Sequence, residues 1–463
     1  MPFCLPSPSR PRYIRINIVA TLILCLIILT LLNLRSRSIS SSYRFPSRNP
    51  HGDSHHAPDI PAEYSLQQKE APFCAERYNR GYLDGLRNSS TEFCAPGSSS
   101  NLTCFHSRTI DERLDSFCVA KPAAFIAADE KFQIGCALTD TARPKFENFP
   151  AYWYETGPRR IFQDFVNMNG DIKTPGPSSS YTILIKREGA TNLWHCLMEI
   201  FAMTLTIDVL RTTLEPASNA PFFASGDPAN TQVVILDDRE DGPYFDLWRL
   251  FARKPITRLK DIPEGGWSDN IIIPLPGQSN PVWQGDWKMH DCENSALVQT
   301  FSNRVLAFYD IKAPARNRNK VVLTYIDRKE TRSLVNSESY LEAIKNRFPY
   351  VRIQSIDFAA IPFKKQLEVI QGTDVLVGVH GAGLTHSMFL RKGSAVVEIQ
   401  PAELDHKGFH NLANLMGNTY FGARALDKPP TLKRDWHSED VFLDKVQFIE
   451  LVGEAVKSMY SNS

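Results

Sequence analysis

The chain has 463 residues, with 52 Lys or Arg against 51 Asp or Glu and a net charge of +1. That length leaves room for two or three domains around a large core, and the near-neutral balance excludes a broad electrostatic surface for nucleic acid. Any anion must be held by a local arrangement of donors.

The first element is an apolar run at 16–34 (INIVATLILCLIILTLLNL), nineteen residues without a charge. As a helix it spans about 28 Å at ~1.5 Å per residue, close to the hydrocarbon thickness of a bilayer. Its length, with no small-x-small site before Arg35, reads as an uncleaved anchor rather than a signal peptide. Arg10, Arg12 and Arg15 before the span nearly balance Arg35, Arg37, Arg44 and Arg48 after it, so charge alone does not orient it. Two other features do. Asn88-Ser-Ser and Asn101-Leu-Thr are glycosylation acceptors, and Cys74, Cys94, Cys104, Cys118 and Cys136 cluster downstream; both suit a lumenal body. The expectation is a single-pass membrane protein with a cytosolic tail at 1–15. Seven cysteines follow the anchor, so at least one is unpaired within the chain. No C-x-x-C or Cys/His comb suggests structural zinc.

Residues 35–72 are rich in Ser, Pro, Arg and His and read as a stem. A cysteine-rich block to about Phe149 caps the first domain. From 181 the pattern alternates. Strands are expected at 181–185 (YTILI), 232–236 (QVVIL) and 271–275, with helices at 191–210 and 294–309. The first of these helices is apolar nearly all round, which predicts an interior position. The second half alternates more clearly: strands at 320–326, 351–356, 375–379 and 395–399, helices at 337–348 and 363–372. Such alternation predicts parallel sheets covered on both faces, with ligands outside the C-terminal ends of the strands. The expected architecture is α/β with two domains, 73–310 on the acceptor side and 311–463 on the donor side, and a cleft between them.

Six groups of residues carry candidate chemistry. In V-L-V-G-V-H-G-A-G-L-T-H a strand runs into a turn where Gly381 and Gly383 allow positive φ and close approach of a ligand, and a helix start favours an anion. It is neither a Walker loop nor G-x-G-x-x-G; a tight turn around a buried histidine is the plainer alternative. D-R-K-E-T-R follows the strand 320–326, so Arg328 and Arg332 arrive at the same sheet edge, where guanidinium groups bind phosphate bidentately. Glu398 is a carboxylate within an apolar strand, suited to ribose hydroxyls or to a structural arginine. In N-L-W-H-C-L-M-E, His195 and Glu199 share one helix face, and either can act as general base or form a satisfied core pair. Asp237-Asp238 ends a strand as a metal-binding aspartate pair would, or begins a solvated loop. The segment W-Q-G-D-W-K-M-H-D-C at 283–292 is dense in aromatic and polar groups suited to lining a cleft.

Together these motifs resemble glycosyltransferase family 61, over about 181–400, with H-G-A-G-L-T-H closest to its EGF-domain-specific O-linked N-acetylglucosamine transferase members. The resemblance implies a GT-B architecture of two Rossmann-like domains and an inverting, metal-independent transfer from a UDP-sugar, N-acetylglucosamine or xylose, to a protein or glycan hydroxyl. It implies Arg328, Arg332, His380, Gly381, Gly383 and Thr385 near the diphosphate, Glu398 near the ribose, and Glu199 or His195 as the base, with no cofactor or metal. Members often carry aspartate at the position of Glu199. The chain ends M-Y-S-N-S without an ER-retrieval tetrapeptide, which with anchor and stem points to the Golgi membrane, the ER membrane being the alternative. The rivals are a metal-dependent GT-A transferase using Asp237 and Asp238, and a non-catalytic membrane-anchored glycan-binding protein.

Overall fold

Two sheets organise the computed structural model, which describes residues 59–64, 70–110, 113–170, 172, 180–263, 268–316, 320–426, 437 and 439–461. The proposed anchor at 16–34 and most of the stem lie outside the described residues. The described residues all belong to one unit.

The first sheet contains β1 (Ser90–Glu92), β2 (Asn101–Ile110), β3 (Arg113–Ile126), β4 (Lys131–Gln133), β5 (Val166–Asn167), β6 (Tyr181–Ile185), β7 (Thr231–Ile235), β8 (Thr257–Arg258) and β9 (Ser268–Ile273). Its order is β1-β2-β3-β9-β6-β7-β8, with β4 on β3 and β5 on β4. Strands β9, β6, β7 and β8 are mutually parallel, while β3 runs antiparallel to β9. The cysteine-rich block thus extends a parallel sheet with antiparallel strands, which its cysteine content alone did not reveal. Cys104–Cys118 crosslinks β2 to β3, Cys94–Cys136 closes the same block, and Cys74–Cys292 ties helix Pro72–Tyr78 into the body. The expected unpaired cysteine is Cys196, buried. The segment read as stem enters the core at its end: Ile60 and Tyr64 are buried, and the Tyr64 hydroxyl donates to Asp208. A composition averaged over 35–72 hides those two residues.

The second sheet is wholly parallel: β10 (Val322–Ile326), β11 (Arg352–Ile356), β12 (Val375–Val379), β13 (Ala395–Gln400) and β14 (Thr419–Arg424), in the order β11-β10-β12-β13-β14. This is a doubly wound arrangement. The chain steps to one side of β10 for β11 and to the other for β12, which opens a crevice at the C-terminal ends of β10 and β12.

Residue alternation assigns each face. In β6, Ile183 and Ile185 join one apolar cluster and Leu184 another. In β12, Leu376 joins the first cluster, while Val375, Val377 and Val379 pack with the terminal helix Lys445–Ser461 through Phe448 and Val452. The cluster that holds Ile183 and Leu376 is therefore shared by both sheets. At its centre lies helix Leu193–Thr212, in which every residue but His195 and Arg211 is buried. It is long and apolar enough to cross a membrane, yet 94% of its most apolar stretch is enclosed by protein. It is a core helix, as its all-round hydrophobicity predicts.

Candidate active site

The crevice at β10 and β12 is a cavity of about 310 Å³, lined from the first half by Thr191, Leu193 and Tyr244 and from the second by Ile326 to Thr331, Asp357 to Ala359, Ala382, Gly383 and His386. It lies within the usual size range of small-ligand sites. Arg328 is half-buried beside it and donates from Nε to the Thr331 carbonyl at 2.8 Å and from Nη2 to Thr331 Oγ1 at 3.1 Å. Arg332 has φ 56°, a left-handed conformation that costs a non-glycine residue ~1–3 kcal/mol and persists where a turn demands it. Both arginines converge on Gly381. A Cβ built there would lie 3.1 Å from Arg332 Cζ and closer still to Arg328 Nη1. With φ 148° and ψ 177°, Gly381 occupies a region essentially reserved for glycine.

Gly383 differs from expectation. It is absent from the positive-φ glycines, and a Cβ there would sit 3.1 Å from Ile326 Cγ2. Its smallness serves close packing of the turn on β10, not a left-handed backbone. The segment after the turn, Ala382–Phe389, is 3₁₀. Thr385 is fully buried, its hydroxyl without a protein partner. His386 is held between the Gly383 carbonyl and Gln366 Oε1, each at 2.7 Å, and stacks on Phe358.

His380 and Glu398 meet directly. Nδ1 of the imidazole lies 2.6 Å from Glu398 Oε1, and the Tyr420 hydroxyl donates to Glu398 Oε2 at 2.6 Å. Adjacent parallel strands place them side by side: Gly378 pairs with Glu398, and Glu398 with Gly422. Glu398 is wholly buried, so its influence on a ligand runs through His380. Burial holds the His380 imidazole below its ordinary pKa, opposed by the bond to Glu398.

The first half contributes a buried pair of carboxyls. Asn192 caps the central helix by accepting from the backbone of Trp194 at 3.0 Å and His195 at 3.4 Å, which fixes where the helix starts. About two turns in, Glu199 Oε1 accepts the Glu188 backbone N–H at 2.9 Å, while Glu188 Oε1 accepts the Gln278 N–H at 3.0 Å. Gly277 covers both: a Cβ there would lie 2.8 Å from Glu199 Cγ and 2.9 Å from Glu188 Oε1. Burial first, then the negative charge of Glu188, raises the Glu199 carboxyl well above its usual range. Burial also raises Glu188, against the opposing pull of His195. The sequence reading missed Glu188. The signal was K-R-E directly after the apolar strand β6, three charged residues delivered to a strand's C-terminal end.

Asp237 is not available to a metal. Arg187, only 1% exposed, binds it through Nε and Nη2 at 2.9–3.2 Å, its own N–H adds a bond at 2.8 Å, and Arg187 also donates to the carbonyls of Arg239, Glu240 and Asp241. The strand end that resembled a metal-binding aspartate pair is half of a buried ion pair, and no cluster of metal-ligating side chains occurs among the described residues.

A chain of ring contacts brings the two halves of the site together. His195 lies edge-on to Tyr154 (4.9 Å) and Trp283 (4.6 Å), Trp283 meets Trp194 at 6.3 Å, Trp194 meets Phe409 at 5.7 Å, and Phe409 meets His380 at 5.4 Å. The aromatic segment at 283–292 supplies Trp283 to this line, and its Asp286 Oδ2 lies 3.1 Å from His406 Nε2. Asn88 and Asn101 are exposed, at the end of a helix and the start of β2, where an oligosaccharide has room.

Residues 193–397 match the family model Glycosyltransferase 61. Over that stretch, a little under half of its length, the chain is similar to glycosyltransferase family 61. Among its relatives, an EGF domain-specific O-linked N-acetylglucosamine transferase from Drosophila melanogaster is 28% identical over 254 residues, 52% of this chain and 44% of that protein. The protein of the same name from Mus musculus is 27% identical over 291 residues, 60% of this chain and 52% of that one. That from Gallus gallus is 24% identical over 419 residues, 85% and 73% of the two chains. The chain spans about half the length of the first two relatives. The family match encloses His195, Glu199, Arg328, Arg332 and the H-G-A-G-L-T-H turn; Glu188 precedes it, and Glu398 and Tyr420 follow it.

Proposed function

We propose that this chain is an inverting, metal-independent glycosyltransferase of GT-B type. It moves N-acetylglucosamine or xylose from a UDP-sugar to a hydroxyl of a protein or glycan. The observation that carries the reading is the convergence of Arg328 and Arg332 on Gly381, at the strand-order reversal of a parallel sheet. Two fixed cations beside a glycine-only backbone suit a diphosphate, and they supply the charge that a metal supplies elsewhere. The engaged state of Asp237 weighs against the GT-A alternative.

In this mechanism the acceptor hydroxyl loses its proton to His195 or Glu199 and attacks the anomeric carbon from the face opposite UDP. The anomeric C–O bond to the β-phosphate breaks, and its electron pair stays on the departing phosphate, stabilised by Arg328 and Arg332. General-base assistance contributes ~10²–10⁴-fold, and fixed positive charge at the leaving group adds a further share. His380, oriented by Glu398 and Tyr420, is next to the same arginines and steadies that end of the site.

The acceptor class in the relatives' names, an EGF domain, is the first to test. Three disulfides among the described residues and two exposed sequons fit an oxidising lumenal compartment, consistent with a Golgi membrane protein whose body faces the lumen. The test is a donor screen: the full chain with each UDP-sugar, with and without a folded EGF domain or an N-glycan, read by UDP release in EDTA. Acceptor-dependent release with one sugar supports the reading. Release only on adding a divalent cation rejects metal independence, and no release with any donor rejects the enzyme.

A further inference from the structure

His195 and Glu199 are two candidate bases on one helix. Three features around them have different consequences. Glu199 is the deeper of the two carboxyls: its neighbours are Glu188, Asp237 and Cys196, with Arg187 already taken up by Asp237. His195 is instead one of two residues of its helix that are not buried, and its side chain is 17% exposed between Tyr154 and Trp283. Between them stands Glu188. One of its oxygens accepts the Gln278 N–H; the other, Oε2, is buried without a hydrogen-bond partner, and His195 Nδ1 lies 3.5 Å away. A carboxylate oxygen stranded in the interior is costly unless a donor reaches it, and catalytic hydrogen bonds are often long before the substrate arrives.

We propose that Glu188 is the positioning residue of a Glu188–His195 dyad, with His195 as the base and Glu199 fixing the Glu188 backbone by accepting its N–H; this rests on the transferase reading above. Glu188 Oε2 accepts from Nδ1–H and so sets the tautomer with Nε2 unprotonated. Nε2 then takes the acceptor's proton as the acceptor oxygen bonds to the anomeric carbon and UDP departs with the electron pair. The imidazolium formed is balanced by the Glu188 carboxylate. Gly277 and Gln278 hold that carboxylate from above, and their close approach explains why a glycine stands at 277.

Two measurements on the full chain test this. The first is turnover of UDP-N-acetylglucosamine with an EGF-domain acceptor. Glu188→Gln lowers kcat about tenfold or more and leaves KM for the donor within about twofold, and Glu188→Asp restores part of the loss. Combined with His195→Ala, Glu188→Gln costs nothing further, because it acts only through that ring. The second needs no turnover. Diethyl pyrocarbonate acylates His195 several-fold faster in the wild type than in Glu188→Gln at pH 8, read by peptide mass spectrometry, while other histidines react at unchanged rates. Equal acylation rates, or losses that add in the double variant, overturn the dyad. A slowed acylation in a chain that turns over no UDP-sugar keeps the dyad and rejects the transferase reading instead.

Discussion

A methyl group on Gly381 would lie 3.1 Å from the guanidinium carbon of Arg332. The atoms in its way are the guanidinium ends of two arginine side chains rather than backbone, so the side chains give before the fold does. The backbone adds its own demand, since φ 148° suits only glycine. Gly381→Ala therefore displaces the cations and strains the turn by ~1–3 kcal/mol. UDP affinity measured by calorimetry falls about tenfold or more, and thermal unfolding shows a modest loss of stability.

The Arg187–Asp237 pair is a matter of folding. Removing one partner of a buried ion pair leaves the other charge uncompensated, typically ~3–5 kcal/mol. Asp237→Ala lowers the denaturation midpoint accordingly, and EDTA leaves the wild type's UDP affinity unchanged. A variant of normal stability whose affinity for Mn²⁺ is lost would restore the metal reading.

Burial and then the neighbouring Glu188 raise the Glu199 carboxyl well above its usual range, toward the protonated form. Glutamine mimics a protonated carboxyl in shape and still accepts the Glu188 N–H. Glu199→Gln therefore keeps kcat within about threefold, whereas Glu199→Ala destabilises the helix start and lowers activity through folding. A hundredfold fall in kcat for the glutamine variant, at normal stability, would make Glu199 the base.

Acid sensitivity follows from His106. It is 2% exposed, bonded through Nδ1 to Ser116 Oγ at 2.8 Å, and burial pushes its pKa down to about 4. The folded state binds fewer protons there than the unfolded state. The stability it contributes is complete above pH 6.5 and is lost as pH falls toward 4, in total roughly 3 kcal/mol. His106→Asn unfolds at a lower temperature at pH 7, and its deficit narrows as pH falls from 6.5 to 4.

Much of this site is legible in the sequence. Strands that alternate with helices have a period that survives in the sequence, and glycines bracketing a histidine at a strand end mark a special backbone. The residues that escaped are those whose meaning depends on distant partners. Asp237 reads as a metal ligand until Arg187, fifty residues upstream, is folded onto it. Glu188 looks like a solvated charge until Gly277 closes over it. Glu398 looks like a ribose contact until β12 and β14 bring His380 and Tyr420 to its two oxygens. The cysteine-rich block concealed its long antiparallel strands because consecutive residues at 102–107 and 115–120 are buried, so neither stretch shows a strand's alternation of apolar and polar residues.

The central claim is that Arg328 and Arg332, beside Gly381, hold a nucleotide diphosphate without a cation. Calorimetric titration of the full chain with UDP in EDTA tests it most directly. Saturable one-to-one binding in the wild type is predicted, weakened about a hundredfold or more in the Arg328→Ala, Arg332→Ala double variant, since each lost charged hydrogen bond costs ~1.5–3 kcal/mol. Undiminished binding in the double variant would contradict it.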